Sequence, residues 1–343
     1  NDGPVWLGTA NLDDPAKSIT LDLNGHTIER NASTNTSYYM IVITRGELII
    51  DNGTVTLTGT TFNGTSKNEN SQIFSIFGSY KSSYWTEDGT GVNANPTNTM
   101  EEGYFTHLEI GENLNVIGGE NVLGTAIAID KLTKGSGPIS GSINTAINYR
   151  TDIRNSDSYG FAYGARVDVK GNITMLGKSG NYVDSKGVTQ GYKCYGIKTN
   201  GNLASPLNTD KGGIKAKSSL GFTTTDSYFD ATYDVEEHKH DTIDVPFVYV
   251  HKSARIVTNN GSIRSTAIYS SGYAKYLIKG TCEGNVGVNI KSGKVILDDA
   301  TIASTATTYT QATGQGGASG SGSAVVLNST SYEGGMQVTI SGD

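Results

Sequence analysis

Short segments in which apolar and polar residues alternate recur along the chain and are separated by Gly or Asn. Residues 19–28 read Ile-Thr-Leu-Asp-Leu-Asn-Gly-His-Thr-Ile, so apolar side chains occupy alternate positions before the pair Asn24-Gly25. Alternation places every second side chain on the same face of a strand. Gly and Asn tolerate positive φ and favour turns. The pattern therefore predicts short strands with Val, Ile, Leu and Ala inward and Thr, Lys, Asn, Asp and Arg outward.

This strand-turn-strand unit returns from residue 19 to residue 340, which is too long a series for one β-sandwich. The clearest further copies lie at residues 41–57, 165–177, 195–203, 256–266, 287–304 and 324–340. Their spacing is close to roughly 20–25 residues or a multiple of it, which is typical of stacked coils that share one apolar core. We expect an all-β fold, a parallel β-helix of roughly ten to thirteen coils that forms one domain over residues 1–343. Lateral loop insertions are expected near residues 58–72, 79–102, 205–246 and 311–323.

The composition agrees with strands and argues against several other classes of protein. The chain has 44 Gly and only 6 Pro, 17% of its residues are charged, and Thr, Ser and Asn are abundant, which makes it a poor helix former. The hydrophobic fraction of 36% and the net charge of −7 disfavour both disorder and a nucleic-acid partner. No apolar run approaches the roughly 20 residues that a membrane-spanning helix needs, so insertion into a membrane is not expected.

The chain contains two cysteines, Cys194 and Cys282, and no CxxC pair. A thiolate metal site or a redox motif is therefore not indicated. The two residues could form a disulfide or could both be small buried apolar side chains, and the sequence leaves both interpretations open.

Residues 18–28 and 46–55, which include the string Leu-Asp-Leu-Asn-Gly-His, resemble the opening coils of bacterial surface and secreted proteins with a pectate-lyase-like β-helix. The resemblance implies a single right-handed parallel β-helix, secreted or attached to the cell wall and excised from a longer surface protein. That group contains adhesins as well as polysaccharide lyases and hydrolases. It usually has an amphipathic helix as an N-terminal cap, but residues 1–17 are too short and irregular for one, which suggests an irregular cap or an excised domain.

Catalytic signatures of such enzymes are weak in this sequence. The acidic pair Asp298-Asp299 would point to opposite faces of a strand, so both carboxylates cannot serve one calcium ion unless a turn bends there. No acid/base pair of the kind that glycoside hydrolysis requires is evident. The leading hypothesis is therefore a non-enzymatic adhesin module that acts as a monomer and binds glycan or a host surface protein. The alternatives are a lyase or hydrolase of acidic or plant-type polysaccharide, and a structural stalk.

Aromatic residues in a polar insertion are the first candidates for ligand binding, because exposed rings stack on sugars and anchor interfaces. They are Tyr80, Tyr84 and Trp85. The second candidates are Arg150 and Arg154, since arginine binds carboxylates of uronic acids bidentately. Together with Arg166, Lys170 and interleaved aspartates such as Asp168, the same arginines also fit an ordinary solvated face.

One segment is rich in ionisable residues and is the only candidate for a metal site. If residues 234–241 are extended, His238 and His240 share a face with Asp234 and Glu236. Two imidazoles and two carboxylates suit zinc or another divalent ion, although a charged solvated loop fits the same residues. Apart from this divalent metal, no cofactor is expected.

Overall fold

The computed structural model describes a set of segments that include every strand discussed below. They are residues 4–8, 17–33, 39–44, 46–62, 67, 69–77, 106–130, 165–200, 247–258, 264–306, 322–327 and 336–342. The regular structure of these segments is entirely β, as the alternating pattern predicts. A search of the same segments found no helix with the length and hydropathy to cross a membrane.

The strands form three faces, and each face is a ladder of parallel strands. The first face contains β1 (Val5–Gly8), β4 (Tyr39–Thr44), β7 (Ser71–Phe77), β10 (Gly124–Asp130), β15 (Cys194–Asn200), the first parts of β18 (Ser265–Ile278) and β20 (Val286–Asp298), and β22 (Val325–Leu327). The second face contains β2 (Lys17–Asp22), β5 (Gly46–Asp51), β8 (Thr106–Ile110), β11 (Ala165–Val169), β16 (Phe247–Val250), the second parts of β18 and β20, and β23 (Met336–Ser341). The third face contains β3 (Thr27–Ala32), β6 (Gly53–Gly59), β9 (Leu114–Gly118), β12 (Asn172–Met175), β17 (Arg255–Thr258), β19 (Thr281–Gly284) and β21 (Thr301–Ser304).

The chain visits the three faces in turn and then returns to the first, which is the connectivity of a β-solenoid. In the described segments it completes seven coils and begins an eighth. The expectation of ten to thirteen coils is therefore wrong. A coil without insertions does take about 20 residues, as the sixth coil (residues 265–284) shows, but several other coils contain long connections between their strands.

In the first two coils, the corner between the second and third faces contains residues that adopt positive φ. Asn24 (φ 48°) and Asn52 (φ 58°) both occupy this corner, as the Asn-Gly turns of the sequence predict. Successive corners are also bonded to each other, because the backbone N–H of Gly25 donates to the carbonyl oxygen of Asn52 at 2.7 Å. Stacking thus continues through the turns as well as through the strands.

Inward side chains of the third face form a column that runs the whole length of the solenoid. In register order the column is Ile28, Val55, Val116, Ile173, Ile256, Cys282 and Ile302. Most of these side chains are fully buried in one continuous core, and burial of each Val or Ile contributes about 1.5–3 kcal/mol. Both Cys194 and Cys282 are buried and no disulfide joins them, so the small-apolar interpretation is the one the fold supports.

The N-terminal segment differs in part from the irregular cap expected over residues 1–17. Residues Val5–Gly8 form β1 and pair in parallel register with β4, with Val5 opposite Ile41. They supply a strand of the first face because their apolar residues continue the adjacent ladder.

Candidate functional site

All of the site residues predicted from the sequence lie outside the described residues. They are Tyr80, Tyr84, Trp85, Arg150, Arg154, His238 and His240. The proposed groove and the proposed divalent-metal site therefore stay predictions. Among the residues that are described, no group of three or more His, Cys, Asp or Glu side chains is arranged to hold a metal ion.

The described residues contain a surface cluster of aromatic rings and lysines at the corner where the third face passes to the first. We call it the aromatic–lysine patch. It consists of Phe62, Lys67, Glu69, Lys178, Tyr182, Tyr192 and Lys193. Its residues come from the connection that follows β6 and from the connection between β12 and β15, so residues distant in sequence are brought together by coil stacking.

Part of the patch is carried by a small antiparallel hairpin of β13 (Asn181–Val183) and β14 (Thr189–Gly191). Its turn is closed by Asp184, whose carboxylate oxygen accepts backbone N–H bonds from Lys186 and Val188, both at 2.9 Å. Gly187 supplies the positive φ of 75° that such a turn requires. These bonds, Val188 foremost, hold the pKa of Asp184 below its usual value. The hairpin thus has a defined shape that presents Tyr182 to the rest of the patch.

The part of the patch that follows β6 is hydrogen-bonded to the next coil, in the connection between β9 and β10. The hydroxyl of Thr61 donates to the carbonyl oxygen of Asn121 at 3.3 Å and accepts the backbone N–H of Leu123 at 2.8 Å. Phe62 also forms a β-bridge with Lys67. On the hairpin side, the backbone N–H of Lys193 donates to a Glu69 carboxylate oxygen at 3.2 Å. Hydrogen bonds to the solenoid therefore hold the patch in a defined arrangement on its surface.

Two aromatic rings of the patch contact the third, that of Tyr192. The ring of Tyr192 is buried between the other two, with ring centroids 5.0 Å from Phe62 in an edge-to-face arrangement and 5.3 Å from Tyr182. Phe62 and Tyr182 are only half-buried, so part of each ring reaches the surface. At the tip of the hairpin Val183 is 67% exposed. The arrangement offers a rigid, amphipathic surface of the kind that sugars and protein partners contact.

Lysine ammonium groups lie over the exposed rings. The Nζ of Lys67 is 3.1 Å from the ring centroid of Tyr182, and the Nζ of Lys178 is 5.0 Å from that of Phe62. Glu69 pairs with Lys67 at 3.5 Å and with Lys193 at 3.2 Å. Burial lowers the pKa of Lys67, and the charges of Lys193 and Arg264 lower it further, while Glu69 acts in the opposite direction. Lys67 therefore lies near charges of both signs, and Glu69 has the strongest electrostatic effect on it.

A second cluster spans β5, β8 and β11 of the second face and the residue that follows β16, and it is different in character. We call it the carboxylate–imidazole network, and it consists of Glu47, His107, Arg166, Asp168 and His251. Glu47, His107 and Arg166 occupy one row of the register, with each residue opposite the next. These side chains alternate with inward residues such as Leu108, so they lie on the outer side of the sheet.

Asp168 is the centre of this network. One carboxylate oxygen is 2.8 Å from Nε2 of His107 and 2.6 Å from Nε of Arg166, and the other is 3.0 Å from Nε2 of His251. Burial alone would raise the pKa of Asp168, but the hydrogen bonds from His107, His251 and Arg166 outweigh it and hold this pKa far below its usual value. The expectation that Arg166 and Asp168 form a solvated face is wrong, because Asp168 is only 3% exposed.

The carboxylates of the network can fix the orientation of its two imidazole rings and can stabilise a positive charge on them. His107 lies between two carboxylates, with Nδ1 2.8 Å from Glu47 and Nε2 2.8 Å from Asp168. Ionised carboxylates only accept hydrogen bonds, so both nitrogens donate when His107 is an imidazolium. His107 itself is buried, but His251 is 23% exposed and stacks on Tyr249 with ring centroids 3.6 Å apart. His251 is therefore the member of the network that reaches solvent, oriented by a buried carboxylate.

Neither cluster was recognised from the sequence. The hairpin had a local signal, Tyr-Val-Asp-Ser-Lys-Gly-Val over residues 182–188, in which Asp and Gly frame a tight turn between alternating residues. The network had none, because Glu47, His107 and Asp168 are single charged residues at outward positions of separate strands. Only the register of the coils places them side by side.

Comparisons of the chain with protein-family models, with curated proteins and with solved structures gave no match. Its function is therefore inferred from the geometry of its residues.

Proposed function

We propose that this chain is a non-enzymatic bacterial surface adhesin module, secreted or attached to the cell wall, and that it binds glycan through the aromatic–lysine patch. The solenoid is proposed to be right-handed, since parallel strands joined by crossover connections have that hand in nearly all proteins. Its role is to present the patch on a long, rigid support.

The proposal rests on one observation, the contact of Phe62 and Tyr182 with Tyr192 at a surface corner. Two of these rings are half-exposed, and none of the three belongs to the continuous apolar core. Aromatic faces stack on the C–H faces of sugars while neighbouring polar groups satisfy the hydroxyls. Because the hairpin turn and the Thr61 bonds fix the rings in place, little ordering cost arises when a ligand binds.

The experiment is a glycan array with the purified chain, followed by calorimetry on the best ligand. The variant Tyr182→Ala is expected to weaken binding at least about tenfold, in line with the loss of a central aromatic contact. The matched control is Tyr269→Ala, since Tyr269 is also half-buried, stacks on another tyrosine and has a lysine over its ring, but belongs to the first face. The proposal is contradicted if Tyr182→Ala and Tyr269→Ala weaken glycan binding equally, or if Tyr182→Ala leaves glycan binding unchanged. If the chain binds a host protein and no glycan, a protein-binding adhesin would replace the glycan-binding adhesin as the proposed function.

A second candidate, a polysaccharide lyase or hydrolase, is favoured by His251. A partly exposed imidazole oriented by a buried carboxylate is suited to act as a general base. The test is release of reducing ends from acidic and plant polysaccharides, with and without calcium, by the wild-type chain and by His251→Ala. Activity that disappears in this variant would replace the adhesin proposal, whereas a lack of activity in both leaves the adhesin proposal as the better one.

A further inference from the structure

The aromatic–lysine patch carries more positive than negative charge, although the whole chain has a net charge of −7. The patch contains three ammonium groups, those of Lys67, Lys178 and Lys193, and one carboxylate, that of Glu69, which pairs with Lys67 and Lys193. Glu69 has both oxygens engaged, one near Lys67 and the other near Lys193. Within the described part of the chain Lys178 has no carboxylate partner, and its recorded contact is the ring of Phe62.

The excess positive charge lies beside the two rings that a bound ligand would contact. Lys67 and Lys178 lie over the rings of Tyr182 and Phe62, the two rings that reach the surface. Side-chain exposure of 27% for Lys67 and 36% for Lys193 leaves both ammonium groups in reach of solvent. Two further cations, Lys193 and Arg264, act on Lys67, and the carboxylate that offsets them is that of Glu69. An anionic group bound here would be a second negative partner for these cations.

We infer that the glycan recognised by the patch is anionic, and that Lys67 and Lys178 contact its carboxylate or sulfate groups while Phe62 and Tyr182 stack on its sugar rings. This inference rests on the proposed function. Carboxylate and sulfate share the chemistry that the two lysines recognise, a compact negative charge with several acceptor oxygens.

The test compares one core oligosaccharide in three forms: unmodified, sialylated and sulfated. The anionic forms are expected to bind about tenfold more tightly than the neutral form, as charge-assisted hydrogen bonds allow. Lys178→Gln and the double variant with Lys67→Gln are expected to reduce this preference to about threefold or less. Raising the salt concentration should weaken only the anionic forms.

Lys252→Gln is the matched control, because Lys252 is an exposed lysine at another corner and pairs with Asp299. If the anionic and neutral forms bind equally and Tyr182→Ala weakens both, the inference is overturned and the proposed function stands. If Lys252→Gln reduces the preference as much as Lys178→Gln, the attraction is a general charge effect and the inference is again overturned. If no form binds, the proposed function fails together with the inference.

Discussion

His107 and Asp168 lie on adjacent strands of the second face with Nε2 of the imidazole 2.8 Å from a carboxylate oxygen, and both side chains are buried although they point away from the apolar core. Their burial makes the hydrogen bonds between them obligatory, since a charged group without a partner in such a place is strongly unfavourable. The carboxylate–imidazole network is therefore the part of the solenoid where one substitution should have the largest effect.

Asp168→Asn is expected to lower the free energy of unfolding by about 3–5 kcal/mol, the cost of breaking a buried ion pair by removing one partner. The amide loses the charge that His107, His251 and Arg166 all contact. Urea denaturation followed by circular dichroism measures the change. Lys252→Gln is the control, because the pair of Lys252 and Asp299 is largely exposed and its loss should leave the transition unchanged. Similar midpoints for the two variants would show that the network contributes no more than a surface pair.

The stability of the wild-type chain should also fall in acid because of Asp168. Its pKa in the folded chain lies far below the usual value of 3.8, so the unfolded state takes up the proton first as the pH decreases. The stabilising contribution is therefore complete above about pH 4 and is lost progressively below it. Denaturation curves at several pH values should show the difference between wild type and Asp168→Asn narrowing in this acid range. A difference that stays constant from neutral pH into strong acid would contradict the assignment.

The thiol of Cys282 should not react with alkylating reagents in the folded protein. Burial raises its pKa to about 12, and the nearby charge of Glu283 adds to the effect. Because the thiolate is the reactive species, labelling with iodoacetamide at mildly alkaline pH is expected only after unfolding in guanidinium, as read by mass spectrometry. The free amino acid cysteine serves as the reactivity control. Rapid labelling of Cys282 without denaturant would mean that the coil around β19 opens readily.

Gly171→Ala should destabilise the corner between β11 and β12. A Cβ atom at residue 171 would clash with the carbonyl oxygen of Gly111 and lie 2.6 Å from the carbonyl oxygen of Leu114. Both atoms belong to the backbone of a stacked coil, which cannot shift locally to make room. We expect a loss of about 1–3 kcal/mol, as for other overpacked sites. Gly118→Ala is the comparison, since its Cβ meets the thioether of Met175, which can change rotamer. An equal or larger loss in Gly118→Ala, measured by thermal unfolding, would contradict this reasoning.

Much of the fold could be predicted from local pattern. The alternation around Leu21 and Leu23 and the Asn-Gly turns at Asn24 and Asn52 correspond to strands and corners of the structure. The coil count could not be predicted, because a connection inside a coil, such as the one between β7 and β8, has no fixed length. The aromatic–lysine patch was missed for a related reason: Phe62 and Tyr182 are 120 residues apart in sequence, and only the stacking of coils brings both into contact with Tyr192.

The sequence by itself determined that the chain forms short parallel strands with an aliphatic interior, because side-chain alternation and turn residues act over a few neighbouring positions. Only the tertiary structure decided which outward residues become neighbours, because that depends on the register between coils. Register turned Asp168 from an apparently solvated residue into a buried ion with three partners. It also gathered the half-exposed rings and lysines of the patch at one corner of the solenoid.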